Sequence, residues 1–282
     1  MKSIKTFAAT AGAMLLLYAG TTLAQGIKTP APSPTQTIKQ DFALSAVELS
    51  YSRPLKNGRV IMGDLVPYNK VWRTGANSAT IITFGEDVKF GGVPVKAGKY
   101  GLLSIPGQQS WTVILTSSLD VTSPAAYKAE NDIARVKVTP VAMPFSQESF
   151  TIEFETVTAN SMVLSINWDK TKVPVVITAD IDGKIMSQLN EAMLSDKKPY
   201  FQAALYYFEN GKDLNKAVEW VNEAANQAPD AFWVWYQKAR INAKAKNNAV
   251  AKEAALKSIE LATTAKNDDY VALNKKLLAN LK

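Results

Sequence analysis

Between residues 45 and 180 apolar and polar side chains alternate in short bursts. Val47, Leu49 and Tyr51 are separated by Glu48 and Ser50, and Phe150, Ile152 and Phe154 by Thr151 and Glu153. Leu164, Ile166 and Trp168 repeat the pattern, as do Val173, Val175 and Ile177. A period of two places such residues on one face of a strand, so each burst predicts a half-buried β-strand. Residues 79–84 (ATIITF) form a nearly continuous β-branched run with the same meaning. Residues 87–90 and 93–95 flank Gly91-Gly92, and residues 100–105 and 111–116 flank Pro106-Gly107-Gln108-Gln109, two hairpin signals. Eight or more short strands with frequent turns predict an antiparallel β-sandwich, with a closed barrel as the competing architecture. Residues 117–131 carry no period and read as a surface loop or a lid.

At Asp182-Gly183 the period changes. Ile185, Leu189 and Met193 recur every four residues, the spacing of an amphipathic helix. Helices are expected over residues 184–194, 199–209, 213–228, 231–245, 249–264 and 268–281, with Pro199 in a first turn and Asp213 and Asp230 as N-caps. This half also repeats. Ala217, Val221 and Ala224 recur 34 residues later as Ala251, Ala255 and Ser258, and Trp235 and Ala239 take early large and small positions. The spacing resembles the tetratricopeptide repeat, whose small residues let paired helices pack closely and whose arrays present protein- or peptide-binding surfaces. Gly211 stands one residue off its usual place and Thr263 stands where Pro is usual, so a plain helical bundle is the alternative. The expected organisation is a signal peptide at 1–24, a Pro-rich tether at 25–37, a β-sandwich domain at 38–182 and a helical, tetratricopeptide-like domain at 183–282.

The signal peptide is read from Lys2 and Lys5, an apolar run from Phe7 to Tyr18, and small residues Thr22 and Ala24 ahead of Gln25. The run is shorter than the ~20 residues a spanning helix needs. Export is therefore expected, to the periplasm first and the extracellular space second, with no membrane span after cleavage. The chain has no Cys, which excludes an acylated anchor and disulfides. It has no His, which excludes Ser-His-Asp and Cys-His nucleophiles, His-ligated zinc and a histidine pH switch. No acidic segment has calcium-loop spacing and no Gly-rich segment opens a helix, so neither metal nor cofactor is expected. Residues 25–183 hold 15 basic and 14 acidic side chains, and residues 184–282 hold 15 and 11. A dispersed Lys surplus of that size is a solvation pattern, and nucleic-acid binding is not expected.

Arginine changes the picture most. There are five, against 27 lysines, and Arg53, Arg59 and Arg73 fall within about twenty residues. Where Lys supplies solvated charge, an Arg is the residue for planar contacts to carboxylate, phosphate or aromatic rings. Tyr51, Trp72 and Asn77 lie among them on turn-rich sequence, the form of a loop-borne ligand site. A structural reading stands beside it: Arg53 and Arg73 stack on Tyr51 and Trp72 and pair with Glu48, Asp64 or Asp132, while Gly75 supplies a positive φ and Asn77 caps a turn.

The motifs YSRP (51–54), Gly58-Arg59, LVPYNKVWRTGAN (65–77), VPVKAGKYGLLSIPG (93–107) and WTVIL (111–115) resemble an exported, mainly Gram-negative family of unknown function, numbered twenty-nine eleven. The resemblance runs over roughly residues 33–180, with a weaker match at Asp132 and Arg135. It implies export and a β-rich domain, and supplies no activity, cofactor or catalytic residue. The candidate ligand-binding set is thus Tyr51, Arg53, Arg59, Trp72, Arg73, Asn77, Asp132 and Arg135. The leading expectation is a binding or adaptor protein: the β domain takes a small anionic or sugar-like ligand or a protein carboxylate, and the helices hold a protein or peptide partner. One alternative is a hydrolase of cell-envelope carbohydrate or ester using two carboxylates among Glu48, Asp64 and Asp132. The other is a structural envelope protein with no ligand site.

Overall fold

The computed structural model describes residues 29–281, so the expected signal peptide and the first residues of the tether lie outside the described residues. Among the described residues ten strands precede six helices: β1 (Thr35–Phe42), β2 (Ser45–Ser52), β3 (Ile81–Phe84), β4 (Val88–Phe90), β5 (Val93–Val95), β6 (Gly98–Ile105), β7 (Trp111–Thr116), β8 (Asp132–Val138), β9 (Val141–Glu155) and β10 (Ser161–Thr178), then α1 (Asp182–Ala192), α2 (Tyr200–Glu209), α3 (Leu214–Gln227), α4 (Phe232–Lys244), α5 (Asn248–Thr264) and α6 (Asp268–Asn280). The strands form two separate antiparallel sheets, in order β1-β2-β3-β6-β7-β8 and β5-β4-β10-β9. This is the expected sandwich rather than a barrel. β1 begins inside the stretch read as a tether, and β8 and the first half of β9 are strands beyond those expected: β8 does alternate, burying Ala134 and Val136, whereas the first half of β9 keeps most of its side chains exposed.

The alternating residues do what their period requires. Val47, Leu49 and Tyr51 from one sheet meet Phe150, Ile152, Leu164, Ile166 and Trp168 from the other in a single core. Burial of this apolar face is the main favourable contribution to the fold. Along β10 the inward set is even-numbered up to Trp168 and odd-numbered from Val173. A strand can change parity only through a local irregularity. Asp169 supplies it: its φ is +50° and the pairing register with β9 shifts on both sides of it. Lys56 holds the Asp169 carboxylate at 2.6 Å, and Lys56 with Ser146 keeps that carboxyl below its usual value.

The helices pack in sequence, α2 on α3, α3 on α4, α4 on α5 and α5 on α6, with further contacts of α4 to both α2 and α6. Ala217, Val221 and Ala224 of α3 are buried, and so are Ala251, Ala255 and Ser258 of α5. The 34-residue recurrence therefore falls on packed positions, where small side chains allow close approach. Asp213 caps α3, its carboxylate accepting from the N–H groups of Asn215 and Lys216. Asp230 is not a cap: α4 starts one residue later than expected, behind Ala231, which places that carboxylate a position too early. Glu86 joins the two halves, accepting from the Leu44 N–H at 2.7 Å and from Lys184 of α1 at 2.9 Å. Among the described residues no helix is long and apolar enough to cross a membrane.

Candidate functional site

β2 and β3 are neighbours, yet residues 53–80 intervene between them. Connections this long inside a packed domain are usually functional when they are ordered. This one is ordered by stitching. The Lys56 N–H donates to Glu148 on β9, Asn69 N–H to Pro106, and Trp72 and Ser104 exchange backbone hydrogen bonds at 2.7 and 2.9 Å. Because β3 is only four residues long, the edge of β6 at Ser104 is vacant, and Trp72 occupies it.

Around Trp72 the backbone is held in an unusual conformation. Thr74 has φ +54° and is fully buried. A β-branched residue in that region is strained and persists only where its surroundings impose it. Here they do: the Thr74 hydroxyl shares a 2.9 Å hydrogen bond with Ser104, and its carbonyl accepts from the Thr80 hydroxyl at 2.7 Å. At Gly75, φ is +154°, a conformation that favours glycine, and a Cβ would sit tightly against the Thr80 hydroxyl at 3.0 Å and the Ser52 carbonyl at 3.2 Å. The Trp72 indole N–H donates back to the Gly75 carbonyl. Its ring lies parallel to Trp168, centroids 6.0 Å apart, with Phe150 and Trp111 edge-on.

This framework opens into a cleft of about 380 Å³. Its lining includes Trp72, the almost fully buried Trp168, Leu65, Val66 and Pro67, and Thr122, Ser123 and Pro124. Its charged lining residues are Arg59, Lys70 and Arg73, all cations. Among the described residues no carboxylate pairs with any of them. Arg59 donates to the carbonyls of Lys56 and Leu55. Arg73 donates through Nη1 to the Thr122 carbonyl at 2.6 Å, and its buried Nε has no partner. A buried unpaired donor costs free energy that a bound acceptor would recover.

Arg59, Trp72 and Arg73 are thus brought together; the other expected residues are not. Tyr51 is a core pin between the sheets, donating to the Ile152 carbonyl at 3.0 Å and accepting from its N–H at 2.9 Å. Burial, the largest influence on its hydroxyl, raises its pKa. Arg53 ties the connection to β9 through the Phe150 carbonyl and the Thr151 hydroxyl. Asn77, with φ +54°, donates to the Ser33 carbonyl at the rim. The ion pairs expected of Arg53 and Arg73 with Glu48, Asp64 or Asp132 do not form, because the fold supplies carbonyl partners instead and gives Asp132 to Arg135 at 2.6 Å. Tyr127 completes that group, donating to Asp132 at 2.6 Å; burial first, and then Asp132, raise its hydroxyl pKa. Glu48 is exposed on β2 and Asp64 on a turn, and among the described residues no carboxylate lines the cleft.

Lys70, Trp168 and residues 122–124 were missed. Lys70 sits two residues before Trp72 and looked like solvated charge. Trp168 is distant in sequence and carried only a strand signal. Residues 117–131 prove to be a wall of the cleft: Val121 and Tyr127 pack on Leu103 and Ile114 of the outer sheet face, which leaves residues 122–124 facing Arg73.

No curated protein and no solved structure shows significant similarity to the chain. A family model described as "Protein of unknown function (DUF2911)" matches residues 33–177, just over half of the 282 residues and all of the strands but the last residue of β10, and the chain belongs to that family.

Proposed function

We propose that the protein is an exported binding protein whose β-sandwich cleft takes a small anionic ligand and whose helices, read as tetratricopeptide-like repeats, hold a protein partner. The observation that carries the ligand reading is the set of three lining cations, with no carboxylate in the lining among the described residues and with Trp72 and Trp168 beside them. Charges in a cleft with apolar walls act at lower effective dielectric than on an open surface, and the walls focus the field on whatever enters. A paired-carboxylate hydrolase draws no support from this lining.

Trp72 and Trp168 line the cleft, so intrinsic fluorescence reports occupancy. Titration with benzoate should give a saturable change that benzyl alcohol does not produce and that Arg73→Ala loses. Equal response to the neutral probe, or an unchanged response in the variant, overturns the reading. If Arg73→Ala instead abolishes folding, the purely structural alternative gains. Export is tested by fractionating a Gram-negative host; retention of the uncleaved chain in the cytoplasm would overturn it. The partner reading predicts that a protein co-purifying with the full chain is lost when the chain is cut after residue 182.

A further inference from the structure

The charge of the ligand is open in the reading above, and the cleft restricts it. Arg73 uses only Nη1, on the Thr122 carbonyl. Nε and Nη2 share the other edge of the guanidinium; Nε is buried without a partner and Nη2 makes no hydrogen bond among the described residues. That edge is the planar fork that grips two oxygens of one oxyanion. Arg59 is arranged oppositely: its Nε and Nη2 are taken by the Lys56 and Leu55 carbonyls, which leaves Nη1 to contribute end-on. Lys70 adds a third positive charge. The strained, buried backbone at Thr74 fixes the residue next to this unpaired edge, as expected of a preorganised site.

A carboxylate offers one charge and two oxygens, enough for the Arg73 fork alone. It would leave Arg59 and Lys70, both exposed, without a counter-charge from the ligand. We infer that the cleft takes a doubly charged phosphate monoester carried on an apolar body, the phosphate on Arg73, Arg59 and Lys70 and the body on Trp72 and its apolar neighbours in the lining. This rests on the reading of the cleft as an anion site. A phosphate monoester carries about −1.5 to −2 charges near neutral pH and three terminal oxygens, which meets both the charge and the donor count.

One consequence separates this from simple charge attraction. The chain has no His, and neither the wall at residues 122–124 nor Trp168 brings a carboxylate to the cleft. Between pH 5 and 7.5 the group changing charge is therefore the ligand, whose second proton leaves near pH 6.

Calorimetric titration of the full chain with phenyl phosphate, inorganic phosphate and benzoate tests it. Phenyl phosphate should bind at least about tenfold tighter than either of the others, and its affinity should rise on the order of tenfold from pH 5 to pH 7.5 as the dianion forms. Arg73→Lys, which keeps the charge but not the fork, should weaken phenyl phosphate by roughly tenfold with the thermal midpoint retained. Benzoate matching phenyl phosphate, both dependent on Arg73, overturns the dianion inference and leaves the anion site standing. Inorganic phosphate matching phenyl phosphate overturns the apolar body. Binding of none of the three overturns both readings.

Discussion

Arg73 and Arg135 hold the same wall, residues 117–131, from two sides, and the fold treats them differently. Arg135 reaches the Tyr127 hydroxyl and the Asp132 carboxylate, both at 2.6 Å, and the Asp132 side chain is only 6% exposed. Arg73 reaches a backbone carbonyl and nothing charged. At the first place a cation meets its counter-charge inside the chain, and at the second the chain leaves the cation for something else to neutralise. Even the imperfection of the first group runs the other way: the oxygen without a partner there is Oδ1 of the carboxylate. An arginine in a loop is thus not informative alone; whether the fold provides its anion is.

The largest expected effect is on binding. Arg73→Ala should weaken an anionic probe by about 1.5–3 kcal/mol, roughly ten- to more than a hundredfold, the range for hydrogen bonds to charged groups, while the thermal midpoint moves little. A collapse of the melt would break the comparison by making Arg73 a clamp like Arg135. Next comes Asp132→Ala, which strips a buried carboxylate from Tyr127 and Arg135. Arg135 is 44% exposed, so solvent compensates part of the loss, and about 1–2 kcal/mol of unfolding free energy is expected rather than the larger cost of breaking a fully buried pair. Probe affinity in that variant should stay within about twofold of the parent.

Alkaline pH sharpens the same contrast. The hydroxyl pKa values of Tyr51 and Tyr127 are raised, and that of Tyr206, partly buried and donating to Asp182, is raised to about 12. The unfolded chain loses these protons near pH 10 while the folded chain keeps them. Unfolding then releases protons, and stability should fall as pH rises above about 10 and be flat in this respect below it. Chemical denaturation at pH 9 and 11 checks the sign, and Tyr127→Phe should reduce the drop. The smallest expected effect is of salt: going from 0.05 to 0.5 M should weaken the probe about two- to threefold through screening at the open cleft, with little change in the stability supplied by the Asp132 group.

Much of the fold was legible because period-two alternation and a four-residue apolar repeat report burial directly. Tyr51, Phe150 and Trp168 show it: each was placed on the inner face by its neighbours alone, and each is buried in the core. β1 was not legible, because most of its side chains remain partly or fully exposed and its partner β2 carries the apolar residues. Of the site, the motif around Trp72 and Arg73 stood out by composition, whereas Lys70 looked like ordinary surface charge and Trp168 like ordinary core. Their convergence depends on how the 53–80 connection crosses the sandwich, and that is set by long-range backbone contacts to Glu148, Pro106 and Ser104. Asp132 illustrates the converse. Sequence offers it as a partner for Arg53 or Arg73, but it pairs with Arg135, the residue that shares its motif match.

The most direct measurement is a crystal structure of the full chain grown with phenyl phosphate. Density is expected in the cleft beside Trp72 and Trp168, with two phosphate oxygens about 2.7–2.9 Å from Nε and Nη2 of Arg73, the span of charge-assisted hydrogen bonds. Phosphate bound elsewhere on the chain, with the Arg73 fork closed onto a protein carboxylate, would contradict it.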